Sequence, residues 1–175
     1  MIYISAIART PRITALQKKL KNLEPVNRRI GEELMREVDR NFREEGIWGK
    51  WAPLARATTY KRDAFGMGRK PLDVSGKLKR SIKMVASGTR VRLFSTDKLA
   101  VLHHEGREGQ EWWIWSKKGK PLVFPHPQGK MGKDGIKWIK TLVVKHKGFP
   151  ARPILPHAEA AKRIARNVVD DYLAV

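Results

Sequence analysis

Three consecutive residues, His103, His104 and Glu105, carry the side chains best suited to chemistry in this sequence. Imidazoles and a carboxylate can hold a transition metal or move a proton, and His126, His146 or His157 could complete such a set. The spacing argues against it. Successive residues on a helix point about 100° apart, whereas two ligands for one ion normally stand four residues apart. One histidine of the pair is therefore expected to pack and the other to meet water. The 17 carboxylates fall mostly beside basic residues on helix faces, away from any isolated acidic group suited to magnesium. Ser75 and Ser81, within LDVSGKLKRSI (72–82), lack the elbow pattern of a serine nucleophile, and no histidine and carboxylate are visibly arranged to serve one. The chain has no cysteine, which removes thiol catalysis and thiolate zinc sites and fits a reducing cytoplasm. No catalytic residue, metal ligand or cofactor is expected, and a hydrolase or protease has no constellation to carry it.

What the chain has in excess is positive charge. The formal net charge is +20 and the isoelectric point is about 10.6. Such a field attracts polyanions, either nucleic acid or an acidic protein assembly, and opposes self-association unless something neutralises it. Between Lys117 and Lys147 every basic side chain is lysine or histidine. Lysine suits diffuse anion attraction, while arginine is the residue that reads bases in bidentate fashion.

These residues must be positioned by elements that the hydrophobic pattern outlines. At 175 residues and 41% hydrophobic content, one domain (1–175) with its own core is expected, and no stretch approaches the ~20 apolar residues of a membrane span. Ile2, Ile4 and Ala6 alternate as a short strand, and Thr10 with Pro11 opens a helix along Ile13, Leu16, Leu20 and Leu23. Pro25 interrupts. Val26, Ile30, Leu34, Val38 and Phe42 then recur every four residues, which predicts a long amphipathic helix to Glu45, ended by Gly46. The segment 46–71 is glycine-rich and basic, shows neither helical nor strand period, and holds Trp48, Trp51, Leu54, Tyr60 and Phe65. It reads as a long loop whose aromatics either fold back onto the core or serve an interface. Gly76 supplies a positive backbone angle, Ser75 caps a short turn over Lys77–Ser81, and Leu78–Val85 with Thr89–Phe94 makes a hairpin about Ser87 and Gly88. Asp97 caps a two-turn helix that ends at Gly106. In the basic hairpin insertion 107–147, Glu111–Trp115 and Pro121–His126 are expected to flank an SKKGK turn, followed by a strand-like IKWIKTLVVKHKG. Three prolines make 148–156 an extended arm, and the last helix carries the stripe Ala158, Ala161, Ile164, Ala165, Val168, Val169 and Tyr172. The predicted class is α+β: a long N-terminal amphipathic helix and a C-terminal helix packed on a small antiparallel sheet, with a long loop and an extended arm.

Four blocks in order, FREEGIWGKWAPLARATTYKR, LDVSGKLKRSI, LAVLHHEG and GFPARPIL, resemble the phage virion morphogenesis family, the tail completion proteins of the phage Mu protein G type. Trp51, Pro53, Leu54, Ser75, Gly76, Leu78, Ser81, Ile82, His103, Gly106, Pro150, Ala151, Arg152 and Pro153 fall on its pattern. The blocks run from Phe42 to Leu155, so the helix over Pro11–Leu23 lies outside them. The resemblance implies a non-enzymatic structural protein of a tailed phage or prophage particle, assembled in the bacterial cytoplasm. It implies a tail completion or neck component that forms a homo-oligomeric ring, hexameric in related proteins, around the DNA passage. Its partners would be other neck and tail proteins: the tail terminator, the tail tube, and a head-closure or portal-associated protein. On that reading Trp48, Trp51, Pro53, Leu54, Pro150, Arg152 and Pro153 form the oligomer interface, with tryptophan and arginine as buried anchors. Lys50, Arg56, Lys61, Arg62, Arg69, Lys70, Lys117, Lys118 and Lys120 face channel DNA without sequence specificity, or acidic partners. No membrane is involved.

A second class of function competes with this one. Trp112, Trp113, Trp115 and Trp138 among lysines could offer bases a stacking platform, making the chain a non-specific nucleic-acid-binding module. Salt-dependent binding by a monomer would favour that class, and a ring or assembly on a tail would favour the first.

Overall fold

The computed structural model describes residues 11–117 and 119–174. The strand expected over Ile2–Ala6 lies outside them, as do Thr10 and Lys118. Six helices and six strands are present among the described residues, an α+β fold as expected. None of these helices is long and apolar enough to cross a membrane.

Helix α1 spans Pro11–Lys21 and α2 spans Glu24–Arg43. The interruption falls just before Pro25, which sits in the first turn of α2, where a missing N–H costs nothing. The main-chain N–H of Gly46 closes the far end on the Asn41 carbonyl at 3.0 Å. Chain packing gathers into two compact units. One comprises the described residues of Met1–Glu37, Met84–Phe94 and Pro156–Val175; the other comprises Val38–Lys83 and Ser95–Leu155.

The first unit is the amphipathic core that the periodicity announces. Val26, Ile30 and Leu34 of α2 and Ile164 of α6 (Ala158–Leu173) are buried together. Ala161, Ala165, Val168, Val169 and Tyr172 pack around them, with Val91 and Leu93 of β2 (Val91–Ser95). Ala158 stays exposed because it opens the helix, where the His157 ring nitrogen accepts the Ala160 N–H at 3.2 Å. Strand β1 (Ile82–Ala86) pairs with β2, and the turn closes through the Ser87 N–H on the Arg90 carbonyl.

The second unit departs more from expectation. The long loop contains a helix, α3 (Arg56–Ala64), in which no residue is buried. With no buried stripe there is no apolar period, so the element was invisible to pattern. The Tyr60 hydroxyl of α3 accepts the Lys137 N–H at 2.7 Å, and Phe65 meets Trp138 edge-on at 6.4 Å. Lys77–Ser81 forms α4, entered through Gly76 at φ 66°, the left-handed region glycine enters without steric cost. Leu78 therefore belongs to this helix instead of the following strand. Ala100–Glu105 is α5, stopped by Gly106.

The strands on either side of SKKGK do not pair with each other. Strand β3 (Trp112–Trp115) pairs antiparallel with β6 (Val143–His146), and β4 (Leu122–Met131) pairs antiparallel with β5 (Lys137–Thr141). One hairpin is thus nested inside another, and 116–121 links the two ladders. Thr141 hydrogen-bonds Val143 across Leu142, which splits the single strand expected over 136–148 into β5 and β6.

Candidate functional site

The aromatic segment and the proline arm meet inside the second unit, and each uses up the polar groups of the other. Val38 and Phe42 of α2 are buried, and Trp51 packs edge-on against Phe42 at 5.2 Å with 3% of its surface exposed. The Trp51 indole N–H donates to the Pro153 carbonyl at 3.0 Å. That carbonyl also accepts from the Asn41 side-chain amide at 2.8 Å, while the Asn41 Oδ1 accepts the Ile47 N–H at 2.8 Å. Asn41 is fully buried. It stands three residues after Val38 on a core-facing position, which was the available signal for a buried polar junction, and the sequence reading missed it.

Arg152 is the second anchor. Its guanidinium donates to the Ala52 carbonyl at 3.1 and 2.9 Å and to the Pro53 carbonyl at 3.2 Å, and its own N–H bonds the His103 carbonyl at 2.8 Å. No described carboxylate pairs with it. Burial lowers its pKa first, and the charge of Arg62 lowers it further, though an arginine in a protein remains charged. Gly106 lies flat on the arm, where a Cβ would run into the Ala151 backbone.

The histidine pair differs from the expected split into a packed ring and a wet one. Both rings are half-buried. The Nδ1 of His104 accepts the Ile154 N–H at 3.1 Å and approaches the Leu155 N–H at 3.5 Å, so this ring holds the arm. His103 lies 6.0 Å from the Phe149 ring, and its Nδ1 is buried without a partner. Burial, then the Arg152 charge, pushes its pKa down, with Asp97 partly opposing. His126 and His146 each accept a nearby main-chain N–H. Among the described residues no three His, Asp or Glu side chains come together as a metal set.

Of the seven residues expected at an oligomer interface, Trp51 and Arg152 are buried by the chain itself. Trp48, Leu54, Pro150 and Pro153 are half-buried and Pro53 is exposed. Leu54, Pro53, Pro150 and Arg152 wall one side of a cavity of about 570 Å³ that Leu78, Phe149 and His103 also line.

The basic set divides similarly. Arg62 donates to the Gly68 and Lys70 carbonyls at 2.9 and 2.7 Å and ties the turn after α3. Arg69 forms a two-pronged pair with Asp63 at 2.7 and 2.8 Å, which raises its pKa. Lys50 reaches the Glu44 carbonyl at 3.0 Å. Arg56, Lys61, Lys70, Lys117 and Lys120 are exposed.

The four tryptophans named as a stacking platform do not share one surface role. Trp112 is stacked on the His146 ring at 4.2 Å and 9°, with Arg107 over it, and Trp138 donates its indole N–H to the Asp134 carboxylate at 3.1 Å. Trp113 and Trp115, two residues apart on β3 and so on one face, are 55% and 69% exposed. Opposite them in register stand Lys145 and Val143, and Lys145 lies over the Trp113 ring.

The sequence matches the phage virion morphogenesis family over residues 9–174, and the chain belongs to that family. The match reaches beyond the four recognised blocks at both ends and takes in α1. No curated protein and no solved structure matched the chain.

Proposed function

We propose that this member of the phage virion morphogenesis family is a tail completion protein, one of a ring of copies at the neck where DNA passes between tail and head. The family match over almost the whole chain carries this reading, and it makes the chain a phage assembly component. Two surface features support the finer role. The net charge of +20, with Arg56, Lys61, Lys70, Lys117 and Lys120 exposed, suits a neighbour that is a polyanion held without sequence reading. The outward pair Trp113 and Trp115 is the kind of rigid aromatic contact that anchors protein interfaces. In this reading the chain works by binding and not by catalysis. Its neighbours are copies of itself, the other neck and tail proteins, and DNA in the channel.

Deleting the chain's gene from the phage and imaging the lysate tests the role. Full heads and full tails that fail to join are the expected result. Normally joined, infectious particles without the chain would overturn it.

A further inference from the structure

The 570 Å³ cavity in the second unit has a chemistry that the fold leaves incomplete. Its walls are apolar, with Leu54, Leu78 and Phe149 among them, and two large apolar side chains at its border, Val74 and Leu99, are 50% and 54% exposed. Three cations, Arg62, Lys77 and Arg152, also line it, against one carboxylate, Asp97. Arg152 is 8% exposed and its side chain bonds only carbonyl oxygens. A buried guanidinium without an anion is an unusual arrangement, because charges inside a protein are normally paired. The unmet charge lies beside apolar surface that is still wet.

We propose that this cavity receives an acidic side chain carried on an apolar segment of a different virion protein, with the carboxylate among Arg62, Lys77 and Arg152 and its apolar neighbours on Leu99, Val74 and Phe149. A second copy of this chain is the poorer donor. It carries 37 basic against 17 acidic residues, and Glu24, Glu33, Asp39, Glu44, Asp63, Glu111 and Glu159 are already in ion pairs of their own. The inference rests on the neck reading only for the source of the segment.

Fifteen-residue peptides tiling every structural protein of the same phage, this chain included, provide the probe. Each acidic peptide is accompanied by its Asp→Asn and Glu→Gln form, and the full-length protein is titrated with them at physiological salt. The expected winner is an acidic, apolar peptide of another protein that loses about tenfold or more in affinity in its amide form, as for a charge-assisted contact. Lys77→Gln and Leu99→Ser, both exposed and compatible with folding, each weaken it comparably. Lys162→Gln in α6, which removes the same charge, changes it less than about twofold, which excludes diffuse attraction. The proposal is overturned if no peptide binds, if Lys77→Gln and Lys162→Gln act alike, if Leu99→Ser is silent, or if a tile of this chain binds best. Failure here with unjoined particles in the deletion leaves the neck role standing. A winning peptide from a phage that joins normally without the chain refutes the role and keeps the cavity.

Discussion

The proline arm and the β3–β6 ribbon are alike in composition and opposite in use. Both bring aromatic and basic residues to irregular or edge-like segments that carry no clear core pattern. Where the arm meets the aromatic segment, Trp51 and Arg152 turn inward because carbonyl partners wait for their N–H groups: Pro153 for the indole, Ala52 and Pro53 for the guanidinium. On the ribbon, Trp113 and Trp115 project from one face of a two-stranded ladder, and among the described residues they remain exposed. Anchor residue types therefore do not by themselves mark an interface. What decides is whether the chain provides the matching polar and apolar partner.

The comparison is broken most strongly by truncating an inward anchor. Trp51→Ala removes the Phe42 contact and leaves the Pro153 carbonyl short of a donor, with an expected loss of about 3–5 kcal/mol in urea unfolding. Asn41→Ala strands the Ile47 N–H and weakens the same carbonyl, and about 1–3 kcal/mol should be lost. A loss below about 0.5 kcal/mol in either would show that the arm is not held as described.

The histidine pair sharpens the contrast over a single residue step. His104→Ala leaves the Ile154 N–H unpaired, at a cost of about 1–3 kcal/mol. His103→Leu removes an imidazole nitrogen that has no partner, so stability should hold to within about 1 kcal/mol. His103 also sets a pH slope. The folded state holds the ring neutral with a lowered pKa, while the unfolded chain takes up its proton near the ordinary value of about 6.5. Stability from this group is thus full above about pH 6.5 and falls as the pH drops toward the lowered folded value, then levels off. Melting curves between pH 7.5 and 5 should show a slope that His103→Leu reduces, and an unchanged slope would contradict the assignment.

The smallest expected effect is on the ribbon. Trp113→Ser and Trp115→Ser should each change unfolding free energy by less than about 0.5 kcal/mol, since both residues are more than half exposed.

The amphipathic frame was legible because burial leaves a period: α2 and α6 announce themselves through Val26, Ile30, Leu34 and Ile164. Gly76 was legible because a glycine just before a short helical run can supply the positive φ, 66°, through which the chain enters α4. Helix α3 was hidden because it buries no residue. The nesting of β4–β5 within β3–β6 was hidden because strand partners depend on long-range register, and SKKGK looks like a turn whichever strands it joins. The site was partly legible. Family-like residues Trp51, Arg152 and Gly106 proved to be structurally committed, but the direction in which the two anchors point depends on carbonyls about a hundred residues away in the chain.

The most direct measurement follows particles, not the isolated chain. A phage deleted for this gene is complemented with wild-type protein or with the Trp113→Ser, Trp115→Ser double variant, and joined virions are counted by electron microscopy after the variant's melting curve is shown to match wild type. The account predicts that wild type restores joined virions while the folded double variant leaves heads and tails apart. Full restoration by the double variant would contradict the claim that the outward ribbon is a contact surface this protein offers to its neighbours.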